Sequence, residues 1–292
     1  MSRKTCTVQV EPTPCKQDVH SDFVVSHLPE QHRANLVKAH SLGSHVIRSG
    51  GEEPEPLETA LLVEEYRWFW KPEKVKFVLV AESHVYASEQ EIAVKIVPWK
   101  LHNYAPSYPD GGPLNFAKIV YCPGYGMSEI LDHPEQIESN PGTWQFINLF
   151  RKCLGYDTPS ARSLEWKTRI LNAAKKNGIW LLDASCHACA KGKKERLPAN
   201  VVDRIVPMSW KRYVEPIIDE LSIDPAHVWI VGKGVHDLIR GKYATGDNWV
   251  YQPNVRFPTS AKYKEKASRE AKLQEAVLSS TERHLEQRST LS

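Results

Sequence analysis

The sequence predicts a three-layer α/β/α sandwich around a central, mostly parallel sheet, and three observations predict it. Short β-rich runs alternate with longer stretches whose apolar residues recur at helical spacing. The runs at 75–81 and 179–182 are nearly continuous in apolar residues, as strands covered on both faces are. Each run closes in a polar or glycine-bearing cluster, the pattern of a strand passing into a loop.

Residues 1–55 mix Pro, Ser, Gly, His and charge around short apolar clusters, and are expected to form a flexible or loosely docked N-terminal arm. A helix is expected over Leu57–Trp70, where Leu61, Leu62, Tyr66 and Phe69 fall near one face. The core of the α/β domain, residues 56–258, contains the strand Val75–Ala81, ended by Glu82-Ser83-His84. Phe116–Tyr121 reads as a second strand, closed by Cys122-Pro123-Gly124. An amphipathic helix carrying Trp144, Ile147, Leu149 and Phe150 follows, then a helix over Ser163–Lys176. Asn177-Gly178 stops that helix and leads into the strand Ile179–Asp183.

The alternation continues with a helix over Ser209–Leu221, in which Pro216 marks a bend or a later start. The strand Val228–Val231 passes through Gly232-Lys233-Gly234 into a short helix, and Trp249–Tyr251 is the last strand. Residues 259–292 are charged, with Ala and Leu at helical spacing, and are expected to form a solvated terminal helix or tail.

Composition narrows the function classes. The 292 residues are 41% hydrophobic and 25% charged, which suits a packed core and excludes wholesale disorder. Lys plus Arg total 38 against 35 for Asp plus Glu, so the formal charge of +3 permits a local basic groove without requiring a polyanionic partner. No segment approaches the roughly 20 apolar residues of a membrane helix, and Met1–Thr5 does not open an apolar leader. Six cysteines in a chain of this length are not expected to form a disulfide framework. A soluble intracellular protein, nuclear or cytoplasmic, is the expectation.

In open parallel sheets ligands bind beyond the carboxyl ends of the strands. Those ends hold Glu82-Ser83-His84, Asp183-Ala184-Ser185, Gly232-Lys233-Gly234 and Gln252-Pro253-Asn254. This ordered set resembles the uracil-DNA glycosylase superfamily over residues 74–258. Ala81-Glu82-Ser83-His84-Val85 stands where the family carries G-Q-D-P-Y, G-E-A-P-G or G-[IM]-N-P-G. Asn177–Asp183 is similar to its helix-then-strand ending in L-L-L-N. Trp210–Leu221 and Val228–Gly234 are similar to its helix with an early Trp and its strand ending in W-G. Gln252-Pro253-Asn254-Val255 stands where the family has H-P-S-P or N-P-S-P.

The resemblance implies extrusion of a nucleotide into a pocket and hydrolysis of its N-glycosidic bond. It implies that Glu82, Ser83, His84 and Gln252 form the catalytic set, with Glu82 orienting water or stabilising the sugar cation and Gln252 contacting the leaving base. Asp183 and Asn254 would read the base, with Tyr86 and Phe116 as stacking partners. Lys191, Lys193, Lys194, Arg196 and Arg256 would hold the nucleic-acid backbone. The implied partner is nucleic acid, DNA before RNA, bound by a monomer with no metal or other cofactor. Ala81 and His84 depart from the family's glycine and proline, and an ionised Asp183 accepts hydrogen bonds only, favouring a base with an amino group such as cytosine; either the substrate is not uracil, or Asp183 is protonated, or the chain is not an active uracil glycosylase.

Two alternatives stand beside this reading. One is a nucleic-acid-binding module with the same fold and no chemistry; the other is an unrelated α/β small-molecule hydrolase or transferase. For Glu82 and Asp183 the plain alternative is ion pairing at strand ends, and for Lys191–Arg196 a solvated loop. Cys186-His187-Ala188-Cys189 has the spacing of half a zinc site or a redox dithiol, but no second pair accompanies it, so plain thiols, buried or partly exposed, are expected.

Overall fold

The computed structural model describes residues 26–159, 161–191, 195–253, 255, 257 and 259–289. It contains a four-stranded, all-parallel sheet flanked by helices, an α/β/α sandwich. The chain enters through α1 (Glu30–Ser49) and α2 (Leu57–Phe69), then forms β1 (Phe77–Ala81). Two short helices, α3 (Glu89–Ala93) and α4 (Pro98–Tyr104), precede α5 (Trp144–Cys153) and α6 (Leu164–Lys176). β2 (Ile179–Asp183) leads to α7 (Ala199–Ser209), and α8 (Glu215–Glu220) to β3 (Val228–Val231). The last elements are α9 (Lys233–Leu238), β4 (Trp249–Val250) and α10 (Ser260–Ser289).

The strand order is β2-β1-β3-β4. Ala81 of β1 stands in register with Asp183 of β2, and Val231 of β3 with Val250 of β4. All residues of β1, β2 and β3 are buried, which is what their unbroken apolar runs require. The four carboxyl ends therefore point the same way, and the polar clusters after them share one edge of the sheet.

Local chemistry fixes the junction that matters most. Ser163 caps α6 by accepting the Trp166 N–H at 3.2 Å. At the other end Gly178 adopts φ +79°, and a Cβ there would lie 2.8 Å from the Lys74 carbonyl oxygen. Only glycine lets the chain turn out of α6 and run against β1.

Four expectations are corrected. Residues 26–55 are not a loose arm: α1 buries Leu36, Ala39 and Ile47 and packs on α2 and α7. Its apolar positions are widely spaced among histidines and serines, which hides a helix whose buried face is partly polar. Phe116–Tyr121 is not a strand; it runs through turns with all six residues buried, so it packs into the core from several sides. The helix expected from Ser209 begins at Ala199, and a π-helical turn over Trp210–Val214 joins α7 to α8. That turn falls where Pro216 lacks the N–H that the Arg212 carbonyl would otherwise bond. Finally, α10 is docked as well as charged: Leu273 and Val277 are fully buried, and Arg269 lies 3.6 Å above the Trp249 ring.

Candidate functional site

The polar clusters at the strand ends enclose a cavity of about 450 Å³. Glu82, Ser83 and His84 enter it from β1, Asp183 from β2, Gly232 from β3 and Gln252 from β4. Ile119, Val120, Phe146 and Tyr251 supply apolar wall, so the site combines an apolar body with a few converging polar groups, the usual build of a ligand pocket.

Asp183 anchors the floor. Arg67 Nη2 donates to its Oδ2 at 2.7 Å, and His84 Nδ1 lies 3.6 Å from the same oxygen. Burial pushes the Asp183 pKa up, but the Arg67 guanidinium and the His84 ring outweigh it and hold the carboxyl below its ordinary value. Arg67 also bonds Glu64, whose other oxygen accepts the Tyr213 hydroxyl at 2.8 Å. Asp183 is thus an ionised acceptor in a buried network in which Arg67 Nε and His84 Nδ1 have no hydrogen-bond partner among the described residues.

His84 lies between two carboxylates. Its Nε2 is 2.9 Å from both oxygens of Glu55, and Glu55 also accepts the Ala188 N–H at 2.8 Å. Burial opposes the charged ring, yet Glu55 and Asp183 together raise the His84 pKa to about 9. The same contact holds the Glu55 carboxyl below its ordinary value despite complete burial. His84 is thus held by Glu55 through Nε2, and its Nδ1 stays 3.6 Å from Asp183 without a hydrogen-bond partner among the described residues.

Glu82 sits at the cavity wall in an ion pair with Arg196. Ser83 is occupied: its hydroxyl donates to the His84 carbonyl at 3.0 Å and accepts the Cys189 N–H at 2.9 Å. Through these two bonds Ser83 braces the loop at the cavity wall. Gln252 Nε2 donates to the Val231 carbonyl at 3.3 Å.

The remaining expected residues divide. Phe116 is fully buried against Tyr125 and does not line the cavity, nor does Tyr86, which Lys191 approaches at 6.0 Å. Phe146 and Tyr251 are the half-buried rings that do. Lys191 pairs with Glu52 at 3.4 Å and also lies off the lining. Lys193, Lys194, Asn254 and Arg256 lie outside the described residues. Cys186 and Cys189 are buried free thiols, each pushed up to about 12 by burial. Among the described residues no group of three or more His, Cys, Asp or Glu is placed to hold a metal ion, and no helix is long and apolar enough to cross a membrane.

Sequence reasoning missed Glu55 and Arg67. Glu55 lies in Pro54-Glu55-Pro56, at the end of the supposed arm. Arg67 had a signal: Ala60, Val63, Glu64 and Arg67 form one buried stripe of α2, and opposite charges three residues apart on an apolar face imply a buried pair.

Searches with this chain matched no protein-family model, no curated protein and no solved structure. Its own residues therefore carry the functional argument.

Proposed function

We propose that the chain is an intracellular, monomeric DNA-binding protein that takes one extruded nucleotide into the cavity and hydrolyses its N-glycosidic bond, as the superfamily it resembles does. A single observation carries the reading. Glu82, Asp183 and Gln252, taken from three separate motifs of that resemblance, line one cavity at the ends of β1, β2 and β4.

The chemistry follows from their properties. As the glycosidic bond breaks, positive charge develops on the sugar and negative charge on the departing base. The Glu82 carboxylate stabilises the first and orients a water oxygen towards the anomeric carbon. That water forms the new C–O bond, the bonding pair leaves with the base, and the water's proton neutralises it. The Gln252 amide faces the base, and Phe146 and Tyr251 provide its apolar contact. Asp183, held ionised, accepts from an exocyclic amino group, so a cytosine-like base is preferred over uracil.

A second reading has an observation in its favour. Glu82 and Asp183 are both engaged by guanidinium groups, from Arg196 and Arg67. A binding module that keeps the pocket without chemistry requires no release of either pair.

The test is excision from labelled oligonucleotides that carry uracil, hypoxanthine, xanthine or a mismatched normal base, in single and double strands. Abasic-site formation that disappears in Glu82→Gln and changes base preference in Asp183→Asn supports the enzyme. Salt-sensitive binding with no excision of any substrate selects the binding module, and neither binding nor excision overturns both.

A further inference from the structure

A second groove, of about 470 Å³, opens beside the central cavity. Gln145 lines both, and Pro253, which follows the cavity residue Gln252, lines the groove. The two spaces therefore meet along the start of α5.

The groove's charge is unbalanced. Lys152 is neutralised by Glu270 at 2.7 Å. Arg151 and Arg162 have no carboxylate partner among the described residues. Arg151 Nη1 donates to the Tyr156 carbonyl at 2.6 Å, while its Nε is buried with no partner. Arg162 is exposed and stacks over Trp144 at 5.7 Å, and Trp144 in turn stacks on Trp166. One guanidinium is thus fixed by a backbone carbonyl and the other by an aromatic face; the exposed Arg162 fork is open to an anion that accepts in-plane hydrogen bonds, while Arg151, with Nη1 engaged and Nε buried, contributes charge and its remaining N–H groups.

By contrast, Lys191 and Arg196 of the basic loop are already paired with Glu52 and Glu82. An ion pair must break before either can hold a phosphate, whereas the groove is free to bind as it stands.

We infer that this groove holds the phosphodiester backbone of the strand whose nucleotide enters the central cavity, with Arg151 and Arg162 as its phosphate contacts. The inference rests on the nucleic-acid reading above and adds the path of the strand. Adjacency to the cavity, across Gln145, favours a nucleic acid over an acidic peptide, because one polymer then fills both spaces with base and phosphate respectively.

The experiment is fluorescence anisotropy of the full chain with fluorescein-labelled oligothymidylate across a salt series. Wild type, Arg151→Ala, Arg162→Ala, Arg162→Lys and Lys191→Ala are compared after circular dichroism has matched their folds. Each alanine variant in the groove weakens binding about tenfold near physiological salt and makes the slope of log K against log salt shallower by about 0.7 per lost contact. Arg162→Lys keeps the slope, and Lys191→Ala, whose ammonium is already paired with Glu52, changes both quantities less than either arginine-to-alanine variant.

Wild-type binding with slopes unchanged by either arginine variant would overturn the groove and leave the nucleic-acid reading intact. A wild type that binds no oligonucleotide overturns both. Equal binding of polyglutamate, with the same arginine dependence, overturns the assignment to nucleic acid.

Discussion

His84 Nε2 lies 2.9 Å from both carboxylate oxygens of Glu55, and neither side chain is reached by solvent. Both charges have left water, so each depends on the other and on the groups behind it, Asp183 for His84 and the Ala188 amide for Glu55. Replacing one partner strands its opposite. Glu55→Gln is expected to cost about 3–5 kcal/mol of unfolding free energy. The double variant Glu55→Gln/His84→Gln should cost less than the sum of the two single changes. Urea unfolding of the four proteins measures both quantities.

The same pair sets a pH dependence. The folded His84 pKa is raised to about 9, so its contribution is complete below its unfolded value near 6.5 and is lost as pH rises through 9. His187 has the opposite sign: burial lowers it to about 4, so its contribution weakens as pH falls below about 6.5. Stability should therefore peak near pH 6.5. Buried Lys167, lowered to about 8, adds stability above that value and masks part of the alkaline loss. The difference between wild type and His84→Gln cancels Lys167, and this difference should shrink between pH 6.5 and 9. Thermal melts of both proteins across that range check it.

The two guanidinium pairs of the cavity should separate sharply. Arg67 is buried with Asp183 and Glu64, so Arg67→Ala is expected to cost about 3–5 kcal/mol. Arg196 is more than half exposed, and Arg196→Ala should change unfolding free energy by less than about 1 kcal/mol. Equal effects, measured by urea unfolding, would mean that the Glu82 pair is as structural as the Asp183 pair.

Gly43 tests whether α1 belongs to the domain. In an exposed helix, Gly→Ala stabilises by up to about 1 kcal/mol. Here the new Cβ would lie 2.4 Å from the His187 ring, which also stacks on His40 at 4.2 Å. Gly43→Ala is therefore expected to destabilise, by about 1–3 kcal/mol. A stabilised variant would show that α1 does not bear on the loop carrying His187.

What the sequence made legible follows from how each signal arises. Val228–Val231 and Ile179–Asp183 could be read directly because a strand buried on both faces leaves an uninterrupted apolar run. Phe116–Tyr121 looks similar but is interrupted by Lys118, which is buried in an ion pair with Glu91, and it forms no strand although all six residues are buried. Of the site, Glu82, Asp183 and Gln252 were legible because polar residues directly after strands fall at one edge of a parallel sheet. Glu55 was not, because its role comes from a long-range pairing with His84 that no local spacing encodes. Ser83 and His84 were legible as cavity residues, but their bonds to Cys189 and Glu55 were not, since position in a motif does not reveal which partners a side chain has.

The most direct test of the central claim is whether the cavity receives an extruded base. A duplex with 2-aminopurine at a mismatched position should brighten on saturation with protein as that base leaves the stack. Gln252→Trp, which fills the cavity from a half-buried position, should abolish the rise while anisotropy still reports binding. Saturable binding with no change in 2-aminopurine emission at any mismatched position would contradict the account.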